Sequence, residues 1–389
     1  MRVLHVIPSL SPLRGGPSFA LPLMANGLAD LGVSVDVVTT DDDGPAGRRN
    51  LPLGCAVTDG RVTYRYFART TSFYTSSWSL TAWLARHVRG YDLVHIHALF
   101  SYAALPASLA AYRSGVPYIV RPLGTLSRWS VEQRRPLLKR LSYGVLESRI
   151  VRQAAAMHYT SGQEQREAEM LGISTRPVVI PVPIDAGAFA HPPSRDHVAG
   201  LVPLAASRPF LLYLSRLDRK KGLDLLIPAF ADVHVRHPQV LLVIAGSGDP
   251  VLAREVRDEV GRRGLDGDVV FVGHVDGDQK QALLAHAAAF VLPSYGENFG
   301  IAPVEAMAAG VPVVITDRVG IAPDVAAALA GLVVRPDASA IARALNRVIE
   351  DPNLTARLAA NARSLAGSRY AIPVVATELL QAYESVVGS

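Results

Sequence analysis

Short apolar runs that alternate with helix-forming stretches are the feature that most constrains the fold of this chain. In the first half the runs are RVLHVI, VSVDVVT, VTYRYF, DLVHIH, VPYIV, AAMHYT and PVVI. In the second half they are PFLLYLS, VLLVIA, DVVFV, AAFVLP, PVVIT and GLVV. Continuous apolar strands with intervening helices are typical of parallel sheets covered on both faces. The pattern therefore predicts an α/β protein with two doubly wound sheets.

A stretch rich in Pro and Gly, PVPIDAGAFAHPPSRD (residues 181–196), separates the two sets of runs. We therefore expect two domains, residues 1–185 and 186–371, which suits a chain of 389 residues. The last segment, residues 372–389, has helical spacing, and we expect it to pack back on the first domain. Ligands of such sheets bind beyond the carboxyl ends of the strands, so two facing domains would hold a ligand between them.

Composition limits the classes of function. The chain is 49% hydrophobic and 19% charged, which allows a large core and excludes extensive disorder. A single cysteine, Cys55, excludes an internal disulfide and favours a reducing compartment. The start MRVLHVIPSL is too short and broken for a signal peptide, and no long apolar span occurs, so we expect a cytoplasmic protein. A net charge of +5 without a binding signature predicts no nucleic-acid partner.

The stretch YGENFGIAPVEAMAAGVPVVIT (residues 295–316) carries two acids around a helix start. Glu297 falls just outside the predicted helix and Glu305 just inside it, with seven residues between them. Phe299, Gly300 and Ile301 fall at the helix N-terminus, where free N–H groups and a partial positive charge suit a phosphate. The stretch therefore predicts an anion site with one acid on each side.

Two further junctions between a strand and a helix could contact a phosphate. In SRLDRKKG, Arg216 and Lys221 follow the strand PFLLYL, where exposed cations would neutralise a diphosphate. A solvated basic loop is the alternative. Gly15 and Gly16 follow the first strand and would let the backbone approach a phosphate, although a simple loop fits equally well.

The strand DLVHIH ends in His95 and His97, which alternation places on one face, with His97 nearer the carboxyl end. A structural histidine is the alternative to a functional one. No His or carboxylate follows at zinc-ligand spacing, so we predict no metal site here. We interpret the acidic run DDD (residues 41–43) as surface charge.

Residues 121–152 form a basic segment, with eight Lys or Arg against two Glu. Leu138, Leu141 and Val145 add an apolar stripe, so the segment is also amphipathic. It is either an ordinary surface helix or a face that contacts anionic lipid or a lipid-phosphate acceptor.

In this order and spacing the motifs resemble those of glycosyltransferase family 4, retaining enzymes of the GT-B fold, over nearly the whole chain. PSYGENFGIAPVEAMAAGVPVV is similar to the family signature with two Glu separated by seven residues. SRLDRKKG, GGPS, HIH and HYTSGQE resemble the diphosphate motif, the N-terminal glycine loop, the first-domain histidine and the end of the first domain. The resemblance implies two Rossmann-like domains facing across a cleft, residues 1–185 on the acceptor side and 186–371 binding the donor.

The resemblance also implies a nucleotide-sugar donor, a UDP- or GDP-sugar, and no catalytic metal. Arg216 and Lys221 would hold its diphosphate. Backbone N–H groups of Gly16, Gly300 and Ile301 would contribute to the same anion site.

The remaining implied contacts concern the two sugars of the donor. Glu305 would bind the ribose hydroxyls, and Glu297, with Asn298 and Phe299, would grip the transferred sugar. His97 would approach that sugar from the first domain, so Glu297 and His97 are the predicted catalytic residues. The implied acceptor is a glycan or a lipid-linked glycan, in synthesis of cell-surface polysaccharide or glycolipid. The enzyme would then be cytoplasmic or peripheral on the inner face of the cell membrane.

Two positions depart from the family pattern. PLG, with Leu123, stands where PHG is frequent, and this concerns acceptor-side contacts. PVP (residues 181–183) stands where PNG is frequent, and this concerns the hinge. Two other classes are considered: a nucleotide-sugar epimerase, which needs further acids and histidines beside the donor, and a non-catalytic sugar- or lipid-binding relative. The relative should have lost a charged donor residue, whereas all are present here.

Overall fold

The computed structural model describes residues 1–44, 47–71, 73–126 and 146–388. The chain divides into two compact units. Unit 1 comprises Met1–Pro183 and Ile372–Ser389, and unit 2 comprises Ile184–Ala371. The acceptor and donor roles predicted for residues 1–185 and 186–371 stay predictions.

Unit 1 is built on a sheet of mostly parallel strands. Its strands are β1 Arg2–Ser9, β2 Ser34–Thr40, β3 Asp42–Asp43, β4 Gly47–Arg48, β5 Ala56–Asp59, β6 Val62–Phe67, β7 Leu93–His97, β8 Tyr118–Arg121, β9 Ala156–Tyr159 and β10 Pro177–Val179. The sheet order is β10-β9-β8-β7-β1-β2-β6-β5, and only the β5–β6 pair within it is antiparallel among the described residues. Strands β3 and β4 form a separate antiparallel pair.

The described helices in the first part of unit 1 are α1 Gly16–Asp30, α2 Trp78–His87, α3 Ala104–Ser114, α4 Ser148–Gln153 and α5 Gly162–Glu169. Side chains of β1 alternate between two apolar clusters, with Leu4 and Val6 in one and Val3 and Ile7 in the other. Because both faces of the central strands are buried, their sequences are apolar almost throughout.

The sheet of unit 2 is parallel throughout its described residues. Its strands are β11 Phe210–Leu214, β12 Leu241–Ala245, β13 Val269–Gly273, β14 Ala289–Leu292, β15 Val313–Thr316 and β16 Gly331–Val334, in the order β13-β12-β11-β14-β15-β16. Its helices are α6 Arg195–Leu201, α7 Leu223–Arg236, α8 Pro250–Arg262, α9 Gly277–His286, α10 Ile301–Ala308, α11 Ala322–Ala327, α12 Ala338–Glu350 and α13 Pro352–Leu365. The two parallel-sheet, Rossmann-like units confirm the predicted fold class.

The chain returns to unit 1 in its last helix, α14 Ile372–Val387. Val375, Leu379 and Tyr383 of α14 belong to the same buried cluster as Val3 and Ile7 of β1. Helix α14 is therefore part of the core of unit 1. In the described part of the chain, every helix is too short or too polar to cross a bilayer.

The strand order reverses at one point in each large sheet. In unit 1 the first strand, β1, lies between β2 and β7, and in unit 2 the first strand, β11, lies between β12 and β14. Connections leave such a pair of strands toward opposite faces, which opens a crevice at their carboxyl ends. The loops after β1 and β7, and after β11 and β14, are therefore the favoured places for ligands.

Candidate functional site: two lysine–glutamate pairs beside a helix N-terminus

Eight of the ten predicted site residues lie in unit 2, after the two strands at its switch point. Arg216 and Lys221 follow β11, whereas residues 297–301 and Glu305 follow β14. The structure brings these two groups together, because the Tyr295 N–H donates to the Lys220 carbonyl at 2.8 Å. Gly16 and His97 lie in unit 1, after β1 and at the end of β7.

Lys221 and Glu297 form an ion pair across the two loops. Their side chains are 12% and 23% exposed, which corrects the expectation of an exposed Lys221. Burial, followed by the charges of Lys220 and Arg216, lowers the pKa of the Lys221 ammonium to about 7. Arg216 is exposed, as expected, and makes no side-chain hydrogen bond or ion pair with the described residues. Of the two predicted cations, Lys221 is thus paired with an acid, whereas Arg216 is open to a ligand.

Close packing of the loops depends on a glycine. Gly222 has a φ of 74°, and a Cβ there would lie 2.0 Å from the Pro293 carbonyl oxygen. Any other residue would push the loop after β11 away from the loop after β14, and Lys221 immediately precedes this contact. The Lys-Gly step in SRLDRKKG therefore has a steric reason.

The loop that carries Glu297 is fixed by its backbone. The Glu297 N–H donates to the Arg318 carbonyl at 2.9 Å, and the Gly320 N–H donates to the Glu297 carbonyl at 2.7 Å. Phe299 is buried, and its ring packs edge-on against Tyr370 with centroids 5.6 Å apart. These contacts fix the backbone on both sides of the Glu297 side chain.

The N-terminus of α10 follows directly. Its cap residue, Gly300, has a φ of 101°, and no side chain caps the helix. A Cβ at Gly300 would lie 2.9 Å from Val319, so both the backbone conformation and the neighbour require glycine. The amides of Ile301 and the next residue carry the positive end of the helix dipole, which suits an anion.

Glu305 lies one turn into α10 and is paired with a residue that sequence reasoning missed. The Lys280 ammonium of α9 lies 2.7 Å from Glu305 Oε1, and the side chains are 31% and 18% exposed. Lys280 belongs to no motif. It lies on α9, in the crossover from β13 to β14, and the fold brings it to Glu305. The two acids predicted on either side of the helix start therefore each have a lysine.

In unit 1, Gly16 is the first residue of α1, and Gly15, with a φ of 82°, is the residue in the left-handed region. An ion-pair network fixes the preceding loop. Asp42 is fully buried and accepts hydrogen bonds from Arg14, at 2.8 and 2.9 Å, and from Arg69, at 2.6 Å. Burial alone would raise the pKa of Asp42, but these bonds lower it below its usual value. The interpretation of residues 41–43 as surface charge is therefore wrong.

His97 is fully buried at the end of β7, and its Nε2 lies 2.9 Å from Nδ1 of His5 on β1. Its ring lies 4.2 Å from that of His95, which confirms that the two share a face. Burial lowers the pKa of His97 well below its usual value, and His5 and Arg121 lower it further. The imidazole is not open at the edge of the sheet, so its predicted contact with a sugar stays a prediction.

The neighbouring rings form a hydrogen-bonded chain whose tautomers follow from its ends. The Ile180 carbonyl can only accept, so His158 Nε2 carries the proton of their 2.9 Å bond. Burial lowers the pKa of His158 to about 3, so its ring is neutral and its Nδ1 accepts from His95 Nε2 at 3.3 Å. His95 Nδ1 then accepts from the Tyr383 hydroxyl at 2.7 Å.

Three of these rings have a geometry that could hold a metal. His5, His95 and His97 each bring a nitrogen within 4.8 Å of the others. Sequence spacing missed this group, because His5 comes from a different strand. Arg121, whose pKa burial lowers to about 10, stays cationic at neutral pH and opposes a second cation in the cluster. The predicted absence of a metal stays a prediction.

Strained backbone marks the same edge of unit 1. Ala98 and Phe100, just after β7, have φ of 72° and 55°, and Leu123, just after β8, has φ of 55°. Left-handed conformations at residues other than glycine cost free energy and concentrate at functional sites. No sequence signal indicated them. Leu123 is the residue that departs from the family's PHG pattern.

Residues 127–145 of the basic segment lie outside the described residues. Of the rest, Arg121 is 2% exposed and lies in the imidazole cluster, so it cannot face a membrane as the charge count assumed. Arg149 and Arg152 are exposed.

Comparisons with known proteins identify the family of the chain. The "Glycosyl transferase 4-like domain" model matches residues 15–183, and "Glycosyl transferases group 1" matches residues 202–365. The D-inositol 3-phosphate glycosyltransferase of Jonesia denitrificans is 31% identical over 315 residues, which are 77% of this chain and 73% of that protein. The phosphatidyl-myo-inositol mannosyltransferase of Mycolicibacterium smegmatis is 34% identical over 227 residues, which are 58% of this chain and 56% of that protein.

Among solved structures, Anabaena Alr3699/HepE in complex with UDP and glucose has a TM-score of 0.77 at 21% identity and covers 99% of this chain and 100% of that one. This likeness shows the fold, that of GT-B glycosyltransferases. The chain spans about half the length of several curated relatives that it matches, the mannosyltransferase among them. The two family models and the inositol-phosphate relative nevertheless cover most of the sequence, and on that basis the chain belongs to glycosyltransferase family 4.

Proposed function

We propose that this protein is a retaining glycosyltransferase that moves a sugar from a nucleotide diphosphate sugar to a glycan or lipid-linked acceptor. The observation that carries the proposal is the pair of lysine–glutamate contacts on either side of the uncapped N-terminus of α10. Such an arrangement has donors for a diphosphate at its centre and carboxylate acceptors for sugar hydroxyls at its edges.

The proposed donor site assigns each group by its chemistry. Arg216 is open and can bind two phosphate oxygens, and Lys221 supplies a second cation at the same loop. The amides of Gly300 and Ile301, with that of Gly16 from unit 1, would complete the anion site. Glu305 would accept hydrogen bonds from the ribose.

The proposed reacting end lies at Glu297. Its carboxylate, with the backbone of Asn298 and Phe299, would bind hydroxyls of the transferred sugar, and His97 would act from unit 1. As the glycosidic bond breaks, negative charge grows on the leaving diphosphate, where Arg216 and Lys221 stabilise it. Because Glu297 is engaged by Lys221 and by sugar hydroxyls, we assign it no nucleophilic role. The bond from the anomeric carbon to the diphosphate would break while the acceptor hydroxyl attacks the same face of that carbon. The leaving phosphate would take the hydroxyl proton, and the anomeric configuration would be retained.

The donor in this proposal is a UDP- or GDP-sugar, and no metal is required because cations and helix amides fill its role. The HepE complex with UDP and glucose supports a uridine nucleotide. The relatives named for inositol phosphate and phosphatidyl-myo-inositol support an acceptor that carries phosphate or lipid. We therefore propose synthesis of cell-surface polysaccharide or glycolipid, in the cytoplasm or at the inner face of the membrane, without a nucleic-acid partner.

Two measurements test the function. A thermal-shift screen of UDP-, GDP- and ADP-sugars should find one that stabilises the protein by about 2.7 kcal/mol at 100 times its Kd. Incubation with that donor, radiolabelled in the sugar, should then transfer label to a glycan or lipid acceptor, with the anomeric configuration kept in the product NMR spectrum. Isomerised free sugar with released nucleotide would instead indicate an epimerase, and binding without turnover a non-catalytic relative.

A further inference from the structure

Lys280 is, among the described residues assigned to the donor site above, the one cation that no motif contains. Its ammonium lies 2.7 Å from Glu305 Oε1, and no other side-chain hydrogen bond to Glu305 occurs in the described part of the chain. The second carboxylate oxygen of Glu305 can therefore still accept a hydrogen bond. The ammonium also keeps donors, because one of its three N–H bonds is used.

The position of the pair follows from the topology of unit 2. Lys280 is in the first turns of α9 and Glu305 in the first turns of α10, and both helices start at the carboxyl edge of the sheet. The pair is therefore at the same edge as Arg216 and Lys221. Both side chains are partly buried, so their contact fixes them more firmly than a fully exposed pair would be fixed.

A free acceptor beside free donors matches one chemical group in particular. Each hydroxyl of a vicinal diol can donate one hydrogen bond and accept another. The carboxylate can accept from one hydroxyl while the adjacent ammonium donates to its neighbour. A ribose offers this diol, whereas a 2′-deoxyribose lacks one of the two hydroxyls.

We propose that Lys280 is a specificity-determining residue, which holds Glu305 in position and makes the Lys280–Glu305 pair a reader of the ribose diol. The inference rests on the proposed function, in which Glu305 faces the ribose. Lys280 then acts both as a positioning residue for Glu305 and as a donor to the diol. Loss of the Lys280 side chain should weaken the binding of ribonucleotides and leave the binding of 2′-deoxyribonucleotides almost unchanged.

The test is calorimetric binding of UDP and GDP and of their 2′-deoxy forms to the full chain. We expect the wild type to bind the better ribonucleotide about tenfold more tightly than its deoxy form, as loss of a hydrogen-bonded hydroxyl implies. Lys280→Met should reduce this ratio of affinities to about threefold or less, because it should weaken the binding of the ribonucleotide alone. Lys280→Arg should restore most of the ratio, and Lys280→Met with Glu305→Gln should be no worse than Glu305→Gln alone, because the two residues act as a unit.

Arg343→Met is the matched control, because it removes an exposed cation of α12 in the same unit. It should leave the ratio at the wild-type value. If the wild type binds none of the four nucleotides, the proposed function and this inference both fail. If the wild type discriminates and Lys280→Met discriminates equally, the inference about Lys280 is overturned while the donor site stands.

Discussion

Mild acid should unfold unit 1, because its core contains four neutral imidazoles. His5, His95, His97 and His158 are each at most 1% exposed. Burial lowers the pKa of His5 and His158 to about 3, and it holds the pKa of His95 and His97 well below the usual value. The cation of Arg121 lowers the pKa of all four rings further.

The direction of the effect follows from proton uptake. Below about pH 6.5 the unfolded chain protonates these rings, whereas the folded chain does not, so the free energy of unfolding falls as the pH falls. At pH 5 each ring lowers the free energy of unfolding by about 2 kcal/mol, and the four together lower it by about 8 kcal/mol. Typical domains are stable by about 5–15 kcal/mol in total. The loss should therefore be enough to unfold unit 1 or bring it close to unfolding.

Urea unfolding between pH 7.5 and 5.0, followed by tryptophan fluorescence, measures this effect. Trp78, Trp83 and Trp129 are the only tryptophans of the sequence, and all three lie in the sequence range of unit 1, Met1–Pro183. The signal therefore reports on that unit and not on unit 2. Below pH 5.5 the slope should approach about 5 kcal/mol per pH unit, which corresponds to four protons.

Substitutions show whether the buried rings cause the slope. His158→Gln keeps a donor for the Ile180 carbonyl and removes one titrating ring, so the slope should fall by about one proton in four. The Asp42 network does not interfere, because its carboxylate titrates below this range. A wild-type slope of one proton or less would refute the reasoning.

Three further predictions concern catalysis and localisation. Arg216→Ala or Lys221→Ala should each lose about 3 kcal/mol of transition-state stabilisation with an unchanged circular dichroism spectrum, and near-normal turnover in either would remove the diphosphate assignment. Glu305→Gln should mainly weaken donor binding, whereas Glu297→Gln should mainly lower kcat, and steady-state kinetics showing the opposite pattern would reverse the two roles. Co-sedimentation should show salt-sensitive binding to anionic vesicles and none to neutral ones, and equal binding to both would make the basic segment an ordinary surface.

Strand positions were predictable from the sequence wherever burial determines composition. All thirteen apolar runs named above coincide with strands. The central strands among them are covered on both faces, which accounts for their largely apolar sequences. The short pieces β3, β4 and β5 were missed. Their sequences are DD, GR and AVTD, and their pairing depends on neighbours rather than on an apolar pattern.

Charged residues were predictable only where they belong to a motif. Arg216, Lys221 and the two glutamates follow strand ends in recognisable order, so their shared location could be inferred. The burial of Asp42 could not, because its partners Arg14 and Arg69 come from separate loops and the run DDD has the composition of an exposed turn. The histidine cluster was predictable only in part. His95 and His97 share a strand and were expected on one face, whereas His5 and His158 come from two other strands.

Lys280 shows why such omissions affect the reasoning about function. The predicted donor residues give two cations, Arg216 and Lys221, against two acids, Glu297 and Glu305. Lys220, whose charge lowers the pKa of Lys221, adds a third cation from the same loop. Lys280 adds one more positive charge from outside the motifs, and the N-terminus of α10 adds about half a charge. Because the Lys280 ammonium contacts the Glu305 carboxylate, its positive charge offsets the negative charge of that group. The carboxylate would otherwise repel the phosphates at short range. The charge balance at Glu305 therefore depends on a residue outside every motif, and only the fold brings it there.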